Sequence, residues 1–326
     1  MRALITGVAG FAGSHLAELL VSHGIEVYGL VMPGGPLDNL DEIRGDPDRA
    51  ARLHLVEADM VHAEQLLSVI ADTRPEHVYH LAAASSVRQS LRDPGATFRV
   101  NVLGTRNLLE AIRRAGITPR ILMVGSAEAY GASANKEAPL REDDPLLPVS
   151  PYGASKAAVE LLARSYWTDH KLPVIRVRPF PHTGARHSPE FVFPDWARQL
   201  AEIEAGRHPP RLHVGDLAIR RDLSDVRDVV AAYGLVLRRG EAGAVYNVCS
   251  GRVYSLREVL EALIALTRLN IEIVTEAGRL RPTDLRVLAG SPQALHACTG
   301  WEAAWPLHRT LADLLSYSMN LLRSAP

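Results

Sequence analysis

Through most of the chain, short apolar runs alternate with stretches whose apolar residues recur every three or four positions. That alternation is the mark of strands interleaved with amphipathic helices. The runs predict strands at 2–6, 26–30, 53–56, 77–80, 120–124, 174–178 and 245–248, and the helical spacing predicts helices at 11–22, 63–71, 96–114, 152–168 and 224–239. Strand-helix-strand repetition of this kind builds a parallel sheet covered by helices on both faces. The pattern breaks at Pro179, where a Pro/His-rich loop begins, and again after Val248, where a mostly helical tail opens. The expected division is a cofactor domain of residues 1–178 plus 213–248 and a smaller, mostly helical lobe of 179–212 plus 249–326, with the active site between them.

Composition narrows the function. With 326 residues, the chain has room for about two domains at ~150 residues each. Lys and Arg total 36 against 37 acidic residues, a net charge of −1 that argues against nucleic-acid or membrane-surface partners. Two cysteines, Cys249 and Cys298, are too few for a disulfide framework and suit a reducing, cytoplasmic setting. The uncharged stretch from Ala3 to Ala17 is interrupted by Gly7, Gly10 and Gly13 and is too short to span a membrane. Thirteen histidines invite a metal, yet none stands in a ligand motif, so no metal is expected.

Gly7, Gly10 and Gly13 follow the first predicted strand and open the first helix. Glycine there permits a tight turn, close approach of backbone to a pyrophosphate, and close packing of helix on strand. The expected fold is therefore a Rossmann-type, doubly wound α/β sheet of about seven strands that holds a dinucleotide. The end of the second strand, Val31-Met32-Pro33-Gly34-Gly35, offers neither an acid for NAD nor a base for NADP, so NAD(H) and NADP(H) both remain open. Asp59, after the third strand, is a candidate for the adenine amino group or for a helix cap.

Tyr152 and Lys156 stand four apart on one helix face, behind Ser150-Pro151, an N-cap followed by proline at the first helical position. A cation beside a phenol is expected to lower its pKa towards neutrality. Ser126, at the end of the fifth strand, is placed to reach the same substrate oxygen.

Thr6 to Gly13, His80-Leu81-Ala82-Ala83, Ser126, Tyr152/Lys156 and Arg221-Asp222-Leu223-Ser224-Asp225-Val226 together resemble the extended short-chain dehydrogenase/reductase family along essentially the whole chain. Segments such as Ala84 to Ser90, His182-Thr183-Gly184 and Arg279 to Pro282 are most similar to its GDP-4-keto-6-deoxy-mannose reductase branch. The resemblance implies NAD(P)(H) bound by Gly7, Gly10, Phe11, Ala12, Gly13, Asp59, Met60, Leu81, Ala82, Ala83, Tyr152, Lys156 and Pro179. It also implies a GDP-sugar substrate contacted by Ser85, Ser126, His182, Phe191, Val192, Arg221 and Arg281. The two arginines would meet the diphosphate, because guanidinium offers paired donors to phosphate oxygens. The implied reaction is reduction of the C4 ketone of GDP-4-keto-6-deoxy-D-mannose, by a homodimer formed through helices 96–114 and 152–168.

Glu128 occupies the position at which 4,6-dehydratases of the family carry a C5 base, so a GDP-mannose 4,6-dehydratase is the first alternative and a nucleotide-sugar 4-epimerase the second. A non-catalytic dinucleotide sensor is the remote one, disfavoured by the intact Ser126/Tyr152/Lys156 set. Pro181 stands where the family commonly has asparagine, and Ala127 where some dehydratases have an acid.

Overall fold

The computed structural model describes residues 1–279 and 285–324. Seven strands form the central sheet: β1 Arg2–Thr6, β2 Glu26–Val31, β3 Leu53–Glu57, β4 His77–His80, β5 Arg120–Val124, β6 Val174–Pro179 and β7 Val245–Val248. They lie side by side in the order β7-β6-β5-β4-β1-β2-β3, every neighbouring pair parallel. The order reverses between β1 and β4, which makes this a Rossmann-type doubly wound sheet with its switch point beyond the carboxyl ends of those two strands.

Helices cover both faces. On one side α1 (Phe11–Ser22) and α6 (Val226–Arg239) bury Leu16, Leu20, Val229, Val236 and Leu237 against Ile5, Leu122 and Val177. On the other, α2 (Ala63–Thr73), α3 (Gly104–Arg114) and α4 (Pro151–His170) bury Leu66, Ile70, Leu108, Ile112, Val159 and Ala163 against Leu4, Val78 and Ile121. Burial on both faces is why the strands read as continuous apolar runs rather than alternating ones.

A separate core joins α5 (Val192–Glu204), α7 (Leu256–Ile264) and α9 (Leu307–Ser324) through Trp196, Leu200, Leu260, Leu263, Leu311 and Leu314. Leu212, Val214, Leu217, Ile219 and Leu223 pack into this core and not against the sheet, whereas the expected division put 213–223 with the cofactor domain. Conversely α8 (Gln293–Thr299) returns to the sheet: Leu295 and Trp301 join the α6 side, and the Trp301 indole donates to the Asp228 carbonyl at 3.0 Å. The helix expected at 96–114 is also interrupted. Pro94–Phe98 is helical, Arg99–Leu103 forms a π turn, and α3 starts only at Gly104, whose added Cβ would lie 2.9 Å from the Met60 Cβ.

Candidate active site

The turn after β1 is built for close approach. Gly7 has φ +72°, and a Cβ on it would sit 2.9 Å from the Ala82 backbone. The Gly10 amide donates to the Gly7 carbonyl at 3.0 Å, and α1 then begins with no side chain capping its first turn. Uncapped amides at a helix N-terminus are ready donors to an anion. Asn39, from the loop after β2, braces the turn by donating to the Ala9 carbonyl at 3.0 Å. The end of β2 carries an exposed Met32 and no charged side chain, as read from the sequence. Asp59 does not cap α2, whose N-cap is His62; its carboxylate accepts from the Val61 amide at 3.0 Å and shapes the turn ahead of the helix. Met60 is buried, and Pro179 ends β6 opposite Val248.

Beneath the turn runs a buried polar chain that sequence reasoning missed. Thr6 and His80 pair across the β1–β4 ladder, and the Thr6 hydroxyl accepts from the Ala82 amide at 3.1 Å. That hydroxyl meets His80 Nδ1 at 2.7 Å, and His80 Nε2 meets the Thr105 hydroxyl at 2.8 Å, which bonds to the Asn101 carbonyl. With Thr6 donating to Nδ1, the imidazole proton sits on Nε2. Burial pushes the His80 pKa down to about 3, so the ring is neutral and serves as a strut. Asn101, in the π turn, exchanges hydrogen bonds with the Ala84 backbone and donates to the Ser155 hydroxyl at 2.9 Å, which donates to the Tyr152 carbonyl at 2.7 Å. The inserted residue of the π turn aims that amide, and no apolar periodicity announces it.

Ser126, Tyr152 and Lys156 meet at the carboxyl end of β5. Ser150 caps α4 by accepting from Gly153, with Pro151 at the first helical position, as expected. Gly153 lets α4 lie against the turn that carries Glu128, since a Cβ there would come within 2.5 Å of the Glu128 carbonyl. The Lys156 ammonium donates to the Val124 carbonyl at 2.8 Å. Burial raises the Tyr152 phenol to about 12, opposed by the Ser126 side chain and reinforced by the Glu128 charge. This corrects the expectation of an acidic phenol: desolvation outweighs any help from the lysine, and the tyrosine keeps its proton at neutral pH. Lys156 is lowered to about 8, again by burial, with Glu160 opposing.

The expected substrate residues are spread around this centre. Ser85 is exposed in the loop after β4, and Val192 is exposed at the start of α5. His182 stacks on Phe11 at 5.6 Å, and His187 stacks on the same ring at 4.1 Å and packs against Phe191 at 4.6 Å. His187 therefore stands between Phe191 and Phe11, the first residue of α1. Arg221 donates from Nη1 to the carbonyls of Arg220 and Leu285 at 2.9 and 2.8 Å. Arg281 lies outside the described residues. Within the Arg221-to-Val226 motif, Asp222 accepts from Ser250 and Gly251 and fixes the turn after β7, while Asp225 caps α6. Among the described residues, no group of three or more His, Cys, Asp or Glu is arranged to hold a metal ion.

A family model described as GDP-mannose 4,6 dehydratase matches residues 4–314. The chain belongs to the GDP-mannose 4,6-dehydratase family. Among its relatives, the chain is 35% identical to a GDP-6-deoxy-D-mannose reductase of Pseudomonas aeruginosa, over 97% of this chain and 96% of that one. The structure of RMD from that organism, complexed with NADPH, superposes with a TM-score of 0.82 at 32% identity, covering 98% of this chain and 99% of that one. A UDP-glucose 4-epimerase of Thermus thermophilus in complex with NAD aligns over 100% of both chains, with a TM-score of 0.85 and 30% identity. A GDP-mannose 4,6-dehydratase of Sinorhizobium fredii is 27% identical over 98% of this chain and 97% of that one, so the chain has relatives on both sides of the choice between reduction and dehydration.

Proposed function

We propose that the protein reduces the C4 ketone of GDP-4-keto-6-deoxy-D-mannose, with NADPH or NADH, to a GDP-6-deoxyhexose of the GDP-D-rhamnose type. The observation that carries this reading is a buried Tyr152 hydrogen-bonded to Ser126, one helical turn from a buried Lys156, at the carboxyl end of β5, with only β4 between it and the strand that leads into the glycine-rich turn. Similarity to the Pseudomonas reductase along nearly the full length of both chains supports it. The dinucleotide fits the turn: glycine at 7 and 13 admits a close backbone, and uncapped α1 amides suit a pyrophosphate. Gly10, Phe11, Ala12, Asp59, Met60, Leu81, Ala82, Ala83 and Pro179 complete that binding surface.

When bound, the reduced nicotinamide supplies a hydride. Tyr152 gives its phenolic proton to the C4 oxygen as negative charge develops there, and the Ser126 hydroxyl donates a hydrogen bond to the same oxygen. Lys156 contributes positive charge behind the phenol. Ser85, His182, Phe191 and Val192 bound the sugar and base, while Arg221 and Arg281 take the diphosphate. Because Lys156 loses its proton near pH 8, kcat/KM is expected to fall as pH rises through that value and to hold below it, down to where other groups titrate.

The deciding experiment incubates the protein with enzymatically prepared keto sugar and NADPH or NADH. Oxidation of the nicotinamide matching loss of ketone is the expected result; no oxidation rejects the reductase. Glu128, whose charge reaches Tyr152, keeps one second reading in view. A dehydratase would consume GDP-mannose with no added reductant, whereas a 4-epimerase would interconvert C4 epimers without net turnover of dinucleotide.

The reading extends to a cytoplasmic homodimer. Phe98, Leu103 and Leu161 are 39%, 41% and 64% exposed on the helices expected at the interface, and both cysteines are free thiols. No helix among the described residues is long and apolar enough to cross a membrane. Sedimentation should report a dimer for the parent and a folded monomer for Phe98→Glu/Leu161→Glu, since two charges in an apolar contact cost several kcal/mol. A parent that sediments as a monomer removes this part of the proposal.

A further inference from the structure

Tyr152, Lys156 and Glu160 follow one another at four-residue steps along α4, so all three lie on one face of the helix. The reaction uses the first two and leaves the third without a task. Glu160 is 1% exposed, and the Arg178 guanidinium at the end of β6 grips both of its oxygens: Nε at 2.8 and 3.1 Å, Nη2 at 2.8 Å. Arg178 also donates from Nη1 to the Tyr130 hydroxyl at 2.8 Å and to the Glu142 carbonyl at 3.0 Å. Tyr130 closes the turn that follows Ser126, and its hydroxyl donates to Asn247 Oδ1 at 2.7 Å.

The pair lies directly under the reacting groups. A Cβ built on Gly125 would meet the Glu160 carboxylate at 3.0 Å, and Gly125 stands between Val124, whose carbonyl holds the Lys156 ammonium, and Ser126. A buried ion pair is a poor device for stability alone, because two apolar side chains of similar volume usually serve as well or better. Its charges therefore call for another reason. Of the neighbouring groups, His80 from β4 faces the ammonium and is neutral, Glu128 from the turn acts on Tyr152, and Arg176 and Arg178 from β6 face Glu160. Glu160 is the carboxylate whose charge acts on the lysine.

We propose that Glu160, locked in place by Arg178, is a positioning residue that supplies the counter-charge for the Lys156 ammonium and fixes it at the end of β5. This rests on the reading of Tyr152 and Lys156 as the proton-transfer pair, so the test includes a readout independent of turnover. The sequence contains three lysines, Lys136, Lys156 and Lys171. Side-chain labelling with isotopic lysine therefore yields a spectrum simple enough to follow Lys156 directly, assigned by its loss in Lys156→Met.

Glu160→Gln should move the lysine titration, and with it the alkaline limb of kcat/KM, to lower pH by about one unit. NADPH affinity measured below that limb should stay near the parent value. Should the unpaired arginine prevent folding, Glu160→Gln/Arg178→Met removes both charges together and should shift the lysine in the same direction. A Lys156 titration that stays at the parent pH in whichever of these variants folds overturns the proposal. A shifted lysine with an unshifted rate limb upholds the counter-charge and instead counts against Lys156 acting in the reaction.

Discussion

Tyr152→Phe is expected to lower kcat by roughly 10²–10⁴-fold, the usual worth of a positioned general acid, while leaving dinucleotide affinity close to that of the parent. The substitution deletes one hydroxyl and keeps the ring, which is buried at 9% exposure, so the packing of α4 should survive. The local backbone has its own supports: the Tyr152 amide donates to Ser90 Oγ at 3.2 Å, and its carbonyl accepts from Ser155. What disappears is the proton. Because burial holds the phenol near 12, it is fully protonated at neutral pH and suited to act as an acid in the reductive direction. Single-turnover reduction of the keto sugar, together with a fluorescence titration of NADPH, checks both halves. A variant that keeps more than a tenth of the parent rate would show that the proton comes from elsewhere.

The same residue marks where sequence reading stopped short. The i, i+4 spacing placed Tyr152 and Lys156 on one face, and the structure keeps them there; the direction of the pKa shift needed the burial of the site, which spacing does not encode. Strands were legible because both faces of a parallel sheet are buried, and the runs at 2–6, 77–80, 120–124 and 245–248 coincide with β1, β4, β5 and β7. The π turn at Arg99–Leu103 was not, since its cause is polar: Asn101 reaching Ala84 and Ser155. Residues 213–223 were expected with the sheet because short strands such as Arg211–Val214 look alike in sequence whichever core receives them. It is Leu212 and Val214 packing beside Trp196 and Leu260 that assigns them to the smaller lobe. Glu160 carried a readable signal: a charged residue continuing the Tyr152–Lys156 row on a face that must be buried.

Two glycines only three residues apart should fail in different ways, and the difference tests whether the turn holds a pyrophosphate. Gly13→Ala would push a methyl to 2.1 Å from the Gly7 carbonyl oxygen and 3.0 Å from the Val8 Cα. Backbone cannot yield as a side-chain tip can, so α1 must move off β1, costing about 1–3 kcal/mol of stability or more and taking the turn's shape with it. Gly10→Ala differs: its φ of −72° suits alanine, its added Cβ meets only the Gly7 oxygen at 3.1 Å, and the residue faces outward. The unliganded protein should therefore stay within about 1 kcal/mol of the parent in denaturant melts. Its dinucleotide affinity should nonetheless fall by roughly 100-fold, about 2.7 kcal/mol, because the methyl stands where a phosphate must approach the backbone. Equal NADPH binding by Gly10→Ala and the parent would place the pyrophosphate away from this turn, and the proposed cofactor site would have to be abandoned.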